Sequence, residues 1–514
     1  NQLEMLAQPG LATKLLNFEV DPDGGYRRIN GYAPFGNTKP NGNNKVLGLE
    51  VYADGIIVCS GDGIFFSVDG ASWLQINRAS VHANGDNYST FTGRSLDART
   101  GQLQSSFALY EGNTNYGQII ICDGVNKPFY FHMEGTGALT TRTFFAEEIV
   151  VTSTHAPSTC AVHDHHLVVA GAGAAKDTLY YSHNFEPENF NGAGAGNIKL
   201  SDQVIGLKSF RDDLIIFCRN SLHKLININD ANNIAIVPIT QNVGCLSAQS
   251  IQEIGGDLVF LSPDGIRSVA GTSRIGDVEL GSVSRQIQSI TSDVAKAIDT
   301  YTITSSVLRS KSQYRLFYTI DGESIKVAKG IIGTLTANGF EWSETKGIQA
   351  TGFKAGFSSN GVEKAFHGDG DGFIYNHDKG NSFYQDAVAF NIEAQYSTPN
   401  YDFGDIGTRK TLHYAKISIT PEGEVQPTLR VRYDYEDPAI PQPPDYVLDS
   451  VTFPAIFGVS VFGDTIFGAS NDPMLRQAIQ GSGHACSFRI SSVDQSAPYA
   501  INGLYINYVP AGRR

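Results

Sequence analysis

Histidines in the segment VHDHHL have a spacing that could support metal chemistry. His163 and His165 would lie on the same face of a strand, where two imidazoles can ligate a metal ion. A third ligand would have to come from elsewhere in the chain, with His183 or His223 as the candidates. We prefer the simpler interpretation, a solvated strand edge, and predict no metal site here.

Two aspartates in HGDGDGFIY, Asp369 and Asp371, occupy the first and third positions of a calcium-loop pattern. That loop needs an acidic ligand at its twelfth position, which is Gly380 in this chain. We therefore interpret the segment as a tight turn.

The common signatures of nucleotide binding and hydrolysis do not occur in the sequence. The glycine-rich segments VAGAGAAKD and FNGAGAGN do not fit the phosphate-loop pattern, and neither GxSxG nor HExxH is found. We predict no catalytic residue, no cofactor and no metal, and a protein that is not an enzyme.

One further motif, SVDGASW from Ser67 to Trp73, resembles the Asp-box of sialidase-type β-propellers but is one residue shorter and occurs once. In that family the box is a structural turn away from the active site. A sialidase also needs clustered arginines and a Tyr–Glu pair, which we do not identify here. The motif therefore favours a propeller without indicating catalysis.

Composition indicates a β-rich chain with an acidic surface. The 514 residues include 54 Gly, 23 Tyr and 29 Phe, and these types suit tight turns and pleated, half-buried surfaces. The formal net charge is −14, and Lys and Arg form no run longer than a pair. This argues against specific nucleic-acid binding, but it is compatible with an acidic lining past which DNA slides.

Cysteine usage and hydropathy indicate a soluble protein with reduced thiols. The six cysteines form no CxxC pair, and Cys59, Cys122 and Cys218 end apolar strand runs, where a thiol acts as a small core hydrophobe. No apolar stretch approaches the ~20 residues of a bilayer span. The first residues lack the cationic and apolar regions of a signal peptide.

A hairpin pattern recurs along most of the chain. In each copy an apolar run meets a Gly-, Asp- or Asn-bearing turn and a second apolar or aromatic run follows. Seven copies begin at Asp54, Gly117, His165, Asp212, Gly256, Tyr314 and Lys364. Most starts lie about 45–60 residues apart, a spacing that suits four strands per propeller blade. One hairpin cannot bury both of its faces, so we predict a β-propeller of six or seven blades.

After about Ser382 the strands become longer and alternate, as in HYAKISIT and TLRVRYDYE, with a proline-rich loop between them and the final strands. This pattern predicts a C-terminal antiparallel β-sandwich. The predicted organisation is an all-β chain with an N-terminal segment at 1–45 that closes or enters the propeller, the propeller at 46–383 and the sandwich at 384–514.

A single helix is predicted in SRQIQSITSDVAKAID, between the fifth and sixth copies. Ile287, Ile290, Val294 and Ile298 fall on one helical face. We expect this face to pack on the propeller rim, and an intermolecular interface is the alternative.

Segments near both ends of the chain carry a family resemblance. PGLATKLLNFEVDPDGGYRRINGYAPFGNT, with Arg27 and Arg28 before a Gly–Tyr pair, resembles the opening of bacteriophage tail hub and nozzle proteins. YDFGDIGTRKTLHYAKISI and SAPYAINGLYINYVPAGRR are similar to the C-terminal region of the same virion proteins. The helix SRQIQSI, arriving after SPDGIRSV, is also similar to them.

The resemblance implies a structural protein of a short-tailed phage virion, assembled in the host cytoplasm. It implies a homo-oligomeric ring, expected to be a hexamer, below the portal and adaptor and in contact with other tail proteins. Double-stranded DNA would pass through the lumen without specific binding, or be retained there. The interface candidates are Arg27, Arg28, the face from Ile287 to Ile298, and Arg513 with Arg514.

The alternative function is a carbohydrate-binding or sialidase-like receptor-binding propeller. Trp73, Trp342 and the 23 tyrosines would be its sugar platforms, with convergent acids at the propeller mouth. A WD- or kelch-type interaction scaffold ranks last, because the GH…WD signature is missing.

Overall fold

The structure is a computed structural model that describes residues 12–21, 24–76, 91–93, 104–112, 116–135, 142–152, 156–269, 283–449 and 474–511. Strands make up 52% and helices 5%, so the predicted all-β class is confirmed. None of the described helices has both the length and the apolar character that crossing a membrane requires.

Four short strands precede the repeats: β1 (Lys14–Leu16), β2 (Phe18–Val20), β3 (Tyr26–Arg28) and β4 (Tyr32–Pro34). Within the described residues, seven groups of mainly antiparallel strands then follow along the chain. Sheet 1 contains β5 (Val46–Tyr52), β6 (Gly55–Ser60), β7 (Gly63–Ser67) and β8 (Leu74–Gln75). Sheet 2 contains β9 (Phe91–Gly93), β10 (Ser106–Tyr110), β11 (Gln118–Cys122), β12 (Phe129–Glu134) and β13 (Thr143–Glu148). Sheet 3 contains β14 (Thr159–His163), β15 (His166–Ala170), β16 (Thr178–Tyr181) and β17 (Gly196–Lys199).

Sheets 4 to 7 continue the series. Sheet 4 contains β18 (Val204–Phe210), β19 (Asp213–Cys218), β20 (Leu222–Ile226) and β21 (Ala235–Thr240), and sheet 5 contains β22 (Gln252–Ile254), β23 (Asp257–Ser262) and β24 (Gly265–Ser268). Sheet 6 contains β25 (Thr302–Leu308), β26 (Gln313–Thr319), β27 (Lys329–Thr336) and β28 (Gly339–Lys346). Sheet 7 contains β29 (Gly352–Phe357), β30 (Glu363–Gly368) and β31 (Ile374–His377). The N-terminal strand β4 completes sheet 7 by pairing antiparallel with β31, with Tyr32 opposite His377.

The middle strands of these sheets are apolar on both faces. In β6, GIIVCS is buried at every position, as are QIIIC in β11 and HLVVA in β15. A strand buried on both sides must be covered by a neighbour on each side, which is why these runs are continuous and do not alternate. Cys59, Cys122 and Cys218 end such runs as buried thiols outside any disulfide, as the sequence predicted.

Each of the seven sheets shares a buried hydrophobic cluster with the next one along the chain. Phe66 of sheet 1 packs with Phe131 of sheet 2, and equivalent clusters join sheets 2 to 3, 3 to 4, 4 to 5, 5 to 6 and 6 to 7. A further cluster joins sheet 7 back to sheet 1, where Phe366 and Ile374 lie with Ile56 and Val58.

The C-terminal region forms two sheets that face one core. Its strands are β34 (Ile392–Ser397), β35 (Lys410–Pro421), β36 (Thr428–Tyr433), β37 (Tyr446–Val447), β38 (Met474–Ala478), β39 (Ser482–Gly483), β40 (Cys486–Asp494) and β41 (Tyr499–Pro510), preceded by the hairpin β32 (Phe383–Gln385) and β33 (Val388–Phe390). One sheet has the order β1-β34-β40-β36-β37 and continues through β1 into β28, so that it forms a single nine-stranded sheet with the four strands of sheet 6. The other has the order β2-β3-β41-β35-β38, with β39 also paired with β35. A buried cluster that includes Phe18, Ile417 and Phe488 lies between them.

The N-terminal segment is divided between the two regions. β4 joins sheet 7, whereas β2 and β3 join the C-terminal sheet of β41, and β1 lies between β28 of sheet 6 and β34. Buried Asn17 fixes this junction, since its amide donates to the carbonyls of Lys346 and Glu393 and accepts from the Lys346 amide. One short segment thus connects strands that are more than 300 residues away in sequence.

The described helices are one α-helix, α1 (Gln288–Lys296), and four 3-10 turns. The turns are Ala248–Ser250, Arg285–Ile287, Arg309–Lys311 and Asp434–Glu436.

Candidate functional site

The two N-terminal arginines that the sequence proposed for an interface bind acidic groups of the same chain. Arg27 donates to Glu19 Oε1 (2.9 Å) and also binds Glu422. Arg28 is fully buried, and its guanidinium donates to Asp494 Oδ1 (2.8 Å). These side chains therefore hold the N-terminal strands to the C-terminal region and, in this chain, leave little of either guanidinium for a partner.

A buried charge network lies next to them, where β2 meets sheet 6. Glu19 accepts from Lys311 Nζ (3.0 Å) and Arg315 Nη2 (3.3 Å), and Arg315 also binds Asp378 (3.2 Å). Burial alone would raise the pKa of Asp378, but the charges of Arg315 and Lys311 outweigh it and hold that pKa below its ordinary value. Glu19 and Arg315 are each less than 5% exposed, so each depends on the other for its charge to be satisfied.

The predicted helix face packs inside the chain. Ile287 and Val294 are buried, and Ile290 and Ile298 are partly buried against the cluster shared by sheets 5 and 6. The helix itself begins at Gln288, so Ile287 lies in the 3-10 turn before it. The helix face therefore packs against sheets 5 and 6 of its own chain. Arg513 and Arg514 lie outside the described residues.

The histidine cluster forms a β-turn. Asp164 and His165 have φ of 47° and 64° and make the two-residue turn between β14 and β15. His163 Nδ1 lies 2.9 Å from Ser209 Oγ, and His166 lies 2.6 Å from the Ser182 carbonyl oxygen. In the described part of the chain, no group of three or more His, Cys, Asp or Glu side chains is placed to hold a metal ion.

The two other turn motifs form the turns that were expected. Asp369 Oδ1 accepts from the amides of Asp371 and Phe373 (both 2.9 Å), which confirms the tight turn. Burial raises the pKa of Asp369 to about 6. In the Asp-box-like motif, Asp69 Oδ1 accepts from the amide of Ala71 (2.8 Å) and Ser67 Oγ from that of Gly70 (2.9 Å).

Both tryptophans proposed as sugar platforms are core residues. Trp73 is 2% exposed and donates to the Thr38 carbonyl, and Trp342 is 8% exposed and donates to that of Val283. Neither ring offers a face to a ligand.

A polar cavity of about 360 Å³ lies where the seven sheets meet. It is lined by one strand from every sheet: β5, β10, β14, β18, β22, β25 and β29. Glutamine amides brace it, since Gln104 of sheet 2 donates to the Ile303 carbonyl of sheet 6 (2.6 Å) and Gln249 donates to that of Ser105 (2.9 Å).

The charged residues of the cavity lining are Glu50, Lys208 and Lys354. Lys354 Nζ lies 2.8 Å from Glu50 Oε2. Burial lowers the pKa of the nearby Lys208, and the charge of Lys354 lowers it further, against the opposing effect of Glu50 and Glu253.

Sequence reasoning did not identify the bracing glutamines or Glu19. The available signal was weak: Gln104, Gln249 and Gln252 stand just before or at the start of an inner strand, where polar residues interrupt the apolar runs. Their partners lie in other sheets, which no local pattern indicates.

Comparison with known proteins identifies no family. No protein-family model matches the chain, and no curated protein matches it. Among solved structures, a chain of "Cryo-EM structure of RAG in complex with one melted RSS and one unmelted RSS" is 10% identical and has a TM-score of 0.37. The match covers 67% of this chain and 99% of that chain. A TM-score this low does not indicate a shared fold.

Proposed function

We propose that sheets 1 to 7 form a closed seven-bladed β-propeller and that the two C-terminal sheets form a β-sandwich attached to it. The observation that supports the propeller most directly is the cluster between sheets 7 and 1, because an open row of sheets would leave both end faces uncovered. The cavity lined by one strand from each of the seven sheets also supports the proposal, because the inner strands of propeller blades line a central channel. Pairing of the N-terminal β4 with β31 supplies the last blade with a strand from the other end of the region.

The function that we propose is structural: a hub or nozzle component of a short-tailed bacteriophage tail, working by ring assembly and not by catalysis. Support comes from the segment GGYRRINGY, which carries the family resemblance. In this chain it holds the two regions together through β3, β4 and the buried Arg28. A junction of this kind suits a rigid part of a large assembly.

The cavity restricts how such a protein can conduct DNA. A cavity of about 360 Å³ equals a sphere roughly 9 Å across, less than the ~12 Å width of the B-DNA major groove alone. The glutamine braces cross it as well. DNA would therefore pass between subunits, through a lumen enclosed by the ring, and the net charge of −14 would keep the duplex from adhering there.

Sedimentation of the full chain, alone and mixed with its neighbouring tail proteins, tests this proposal. We expect a single species with the mass of a closed ring, six subunits of 55.5 kDa. Raising the salt concentration distinguishes a specific ring from charge-driven association, because only the latter dissociates readily. A monomer at micromolar concentration in both samples would contradict the proposal.

A further inference from the structure

A cleft of about 630 Å³ opens in the C-terminal region, away from the polar cavity between the sheets. It lies between the ends of β3, β34 and β41, and the loop from Asn400 to Ile406 and the turn Asp434–Glu436 complete it. The volume is in the range of small-molecule sites. No function assigned above uses this cleft.

Aromatic rings form much of its wall. The six are Tyr26, Tyr396, Tyr401, Phe403, Tyr435 and Tyr508. Phe403 and Tyr508 lie with ring centroids 4.4 Å apart and planes tilted by 32°. Tyr26, Tyr401, Phe403 and Tyr508 are each partly buried against the core, so the core supports these rings while part of each stays accessible.

Two of the rings are held by unusual backbone. Phe403 has a φ of 54°, and Tyr435 has a φ of 61° within a turn whose three residues, none of them glycine, are all left-handed. A left-handed backbone is unfavourable for residues with a side chain, so the surrounding structure must enforce the turn. Here Asp434 Oδ1 accepts from the amides of His484 (2.6 Å) and Ala485 (2.9 Å) and fixes it. The turn presents Tyr435, 45% exposed, at the cleft.

The polar groups of the cleft restrict the ligand's chemistry. Thr398, Asn400, Asp402 and Asn502 lie among the rings, and the lining contains no Lys or Arg. Asp402 uses Oδ1 to accept from the Gly404 amide, and a carboxylate keeps further acceptor sites. An anionic ligand would meet a carboxylate with no cation beside it, and a purely apolar ligand would remove the Asp402 carboxylate from water without replacing its hydrogen bonds. A ligand with flat C–H faces and many hydroxyl donors satisfies both the rings and the oxygen acceptors.

We propose that this cleft binds a neutral oligosaccharide, with its sugar rings stacked on the tyrosine and phenylalanine faces and its hydroxyls bonded to Asp402 and the amide side chains. The proposal does not depend on the tail assignment, because it rests on the cleft alone. It also differs from the carbohydrate hypothesis drawn from the sequence, which placed the sugar on tryptophans or tyrosines at the propeller mouth.

Calorimetry and saturation-transfer NMR on the full chain test it, with maltotriose, cellotriose and chitotriose as neutral probes and 3′-sialyllactose as the anionic comparator. We expect saturable binding of at least one neutral probe and weaker binding of the sialylated one. Tyr508→Ala and Tyr435→Gly should each weaken the neutral probe by about tenfold or more, the loss typical of a truncated central aromatic.

The chain offers a matched control on the same strand. Tyr505 of β41 is 57% exposed and does not line the cleft, so Tyr505→Ala should leave affinity unchanged. Tyr435→Gly keeps the fold, since glycine accepts a left-handed backbone. Absence of binding by all three neutral probes at 10 mM would overturn the proposal. Sugar binding that Tyr508→Ala does not weaken would also overturn it. A change in sedimentation caused by Tyr508→Ala, in a chain that binds no sugar, would overturn it as well and would identify the cleft as a protein interface. Ring assembly is read separately by sedimentation of the Tyr505→Ala chain.

Discussion

The strands of the seven stacked sheets and those of the C-terminal region differ in how their side chains are buried. In β6 every residue is buried, whereas in β40 buried and partly exposed residues alternate through CSFRISSV. The stacked strands are covered on both faces, and the C-terminal strands leave one face to solvent. The central strands of the first region therefore bury their side chains on both faces. The strands of the second keep one face exposed, and the aromatic cleft lies in this second region.

The largest expected effect separates these two uses of a strand. Phe131→Ala removes a fully buried ring from the cluster between sheets 1 and 2, and we expect a loss of about 3–5 kcal/mol in the free energy of unfolding. Tyr505→Ala on the open face of β41 should change it by less than ~0.5 kcal/mol. Urea unfolding followed by fluorescence measures both, and equal losses would refute the contrast between the regions.

The charge network at the junction sharpens the comparison by coupling the two regions. Glu19→Gln removes one of the two carboxylates that bind Arg315, the other being that of Asp378. We expect a loss of about 2–4 kcal/mol in the free energy of unfolding, because the buried guanidinium then loses part of its charge compensation. Asp445→Asn, at the more exposed Arg430 pair, is the matched control and should cost ~1 kcal/mol or less. Calorimetry should show the single melting peak of the wild type split into two in Glu19→Gln. Equal losses in the free energy of unfolding of the two variants would show that burial of the ion pair does not determine its contribution.

Acid should weaken the stacked region at sheet 7. His367 Nδ1 lies 2.7 Å from His377 Nε2, both rings are buried, and Tyr32 of β4 packs on His367. Burial lowers the pKa of His377 to about 3, and burial together with His377 lowers that of His367. A folded pKa below the unfolded ~6.5 means that the unfolded state binds the proton first, so stability falls as pH drops from 6.5 toward 3.

The pH effect is measured as a difference between chains, because the raised pKa of Asp369 acts in the opposite direction over part of that range. Between pH 7 and 4.5 the wild type should lose about 2–3 kcal/mol more than His377→Gln, which stays neutral. Melting temperatures across this range provide the test. Parallel curves for the two chains would contradict a buried neutral histidine pair.

The smallest expected effect concerns the strained turn of the C-terminal region. Tyr435→Gly should stabilise the chain by about 0.5 kcal/mol, because relief of the left-handed backbone exceeds the added entropy of the unfolded glycine. The same variant should weaken sugar binding. A gain in melting temperature together with a loss of affinity would show that the turn is retained for binding, whereas a loss of both would show a structural role for the ring.

Local patterns predicted the stacked region better than its connections. Six of the seven hairpin copies coincide with two paired strands, from β6–β7 to β30–β31, because continuous apolar runs around a Gly-bearing turn depend on neighbours in sequence. The copy at Tyr314 was only half right: SIKV lies in a turn, and the next strand begins at Lys329.

What the sequence did not indicate was which distant strands would pair. Lys14 lies opposite Ser397, and Glu19 binds Arg315, and neither choice leaves a trace in the residues nearby. The interface candidates Arg27 and Arg28 came from the segment that carries the family resemblance, and neither that resemblance nor their charge distinguishes a buried intramolecular pair from an exposed contact. The aromatic cleft was also not foreseen, because its rings come from five separate segments of the chain.

An electron cryomicroscopy map of the purified full chain would test the seven-sheet arrangement most directly. We predict seven radial sheets around an axis that encloses only a small polar cavity in each subunit, with the sheet of β29–β31 and β4 packed against that of β5–β8, and the subunits arranged in a symmetric ring. An open row of sheets, with the faces of sheets 1 and 7 apart, would contradict the closed propeller and the structural role proposed with it.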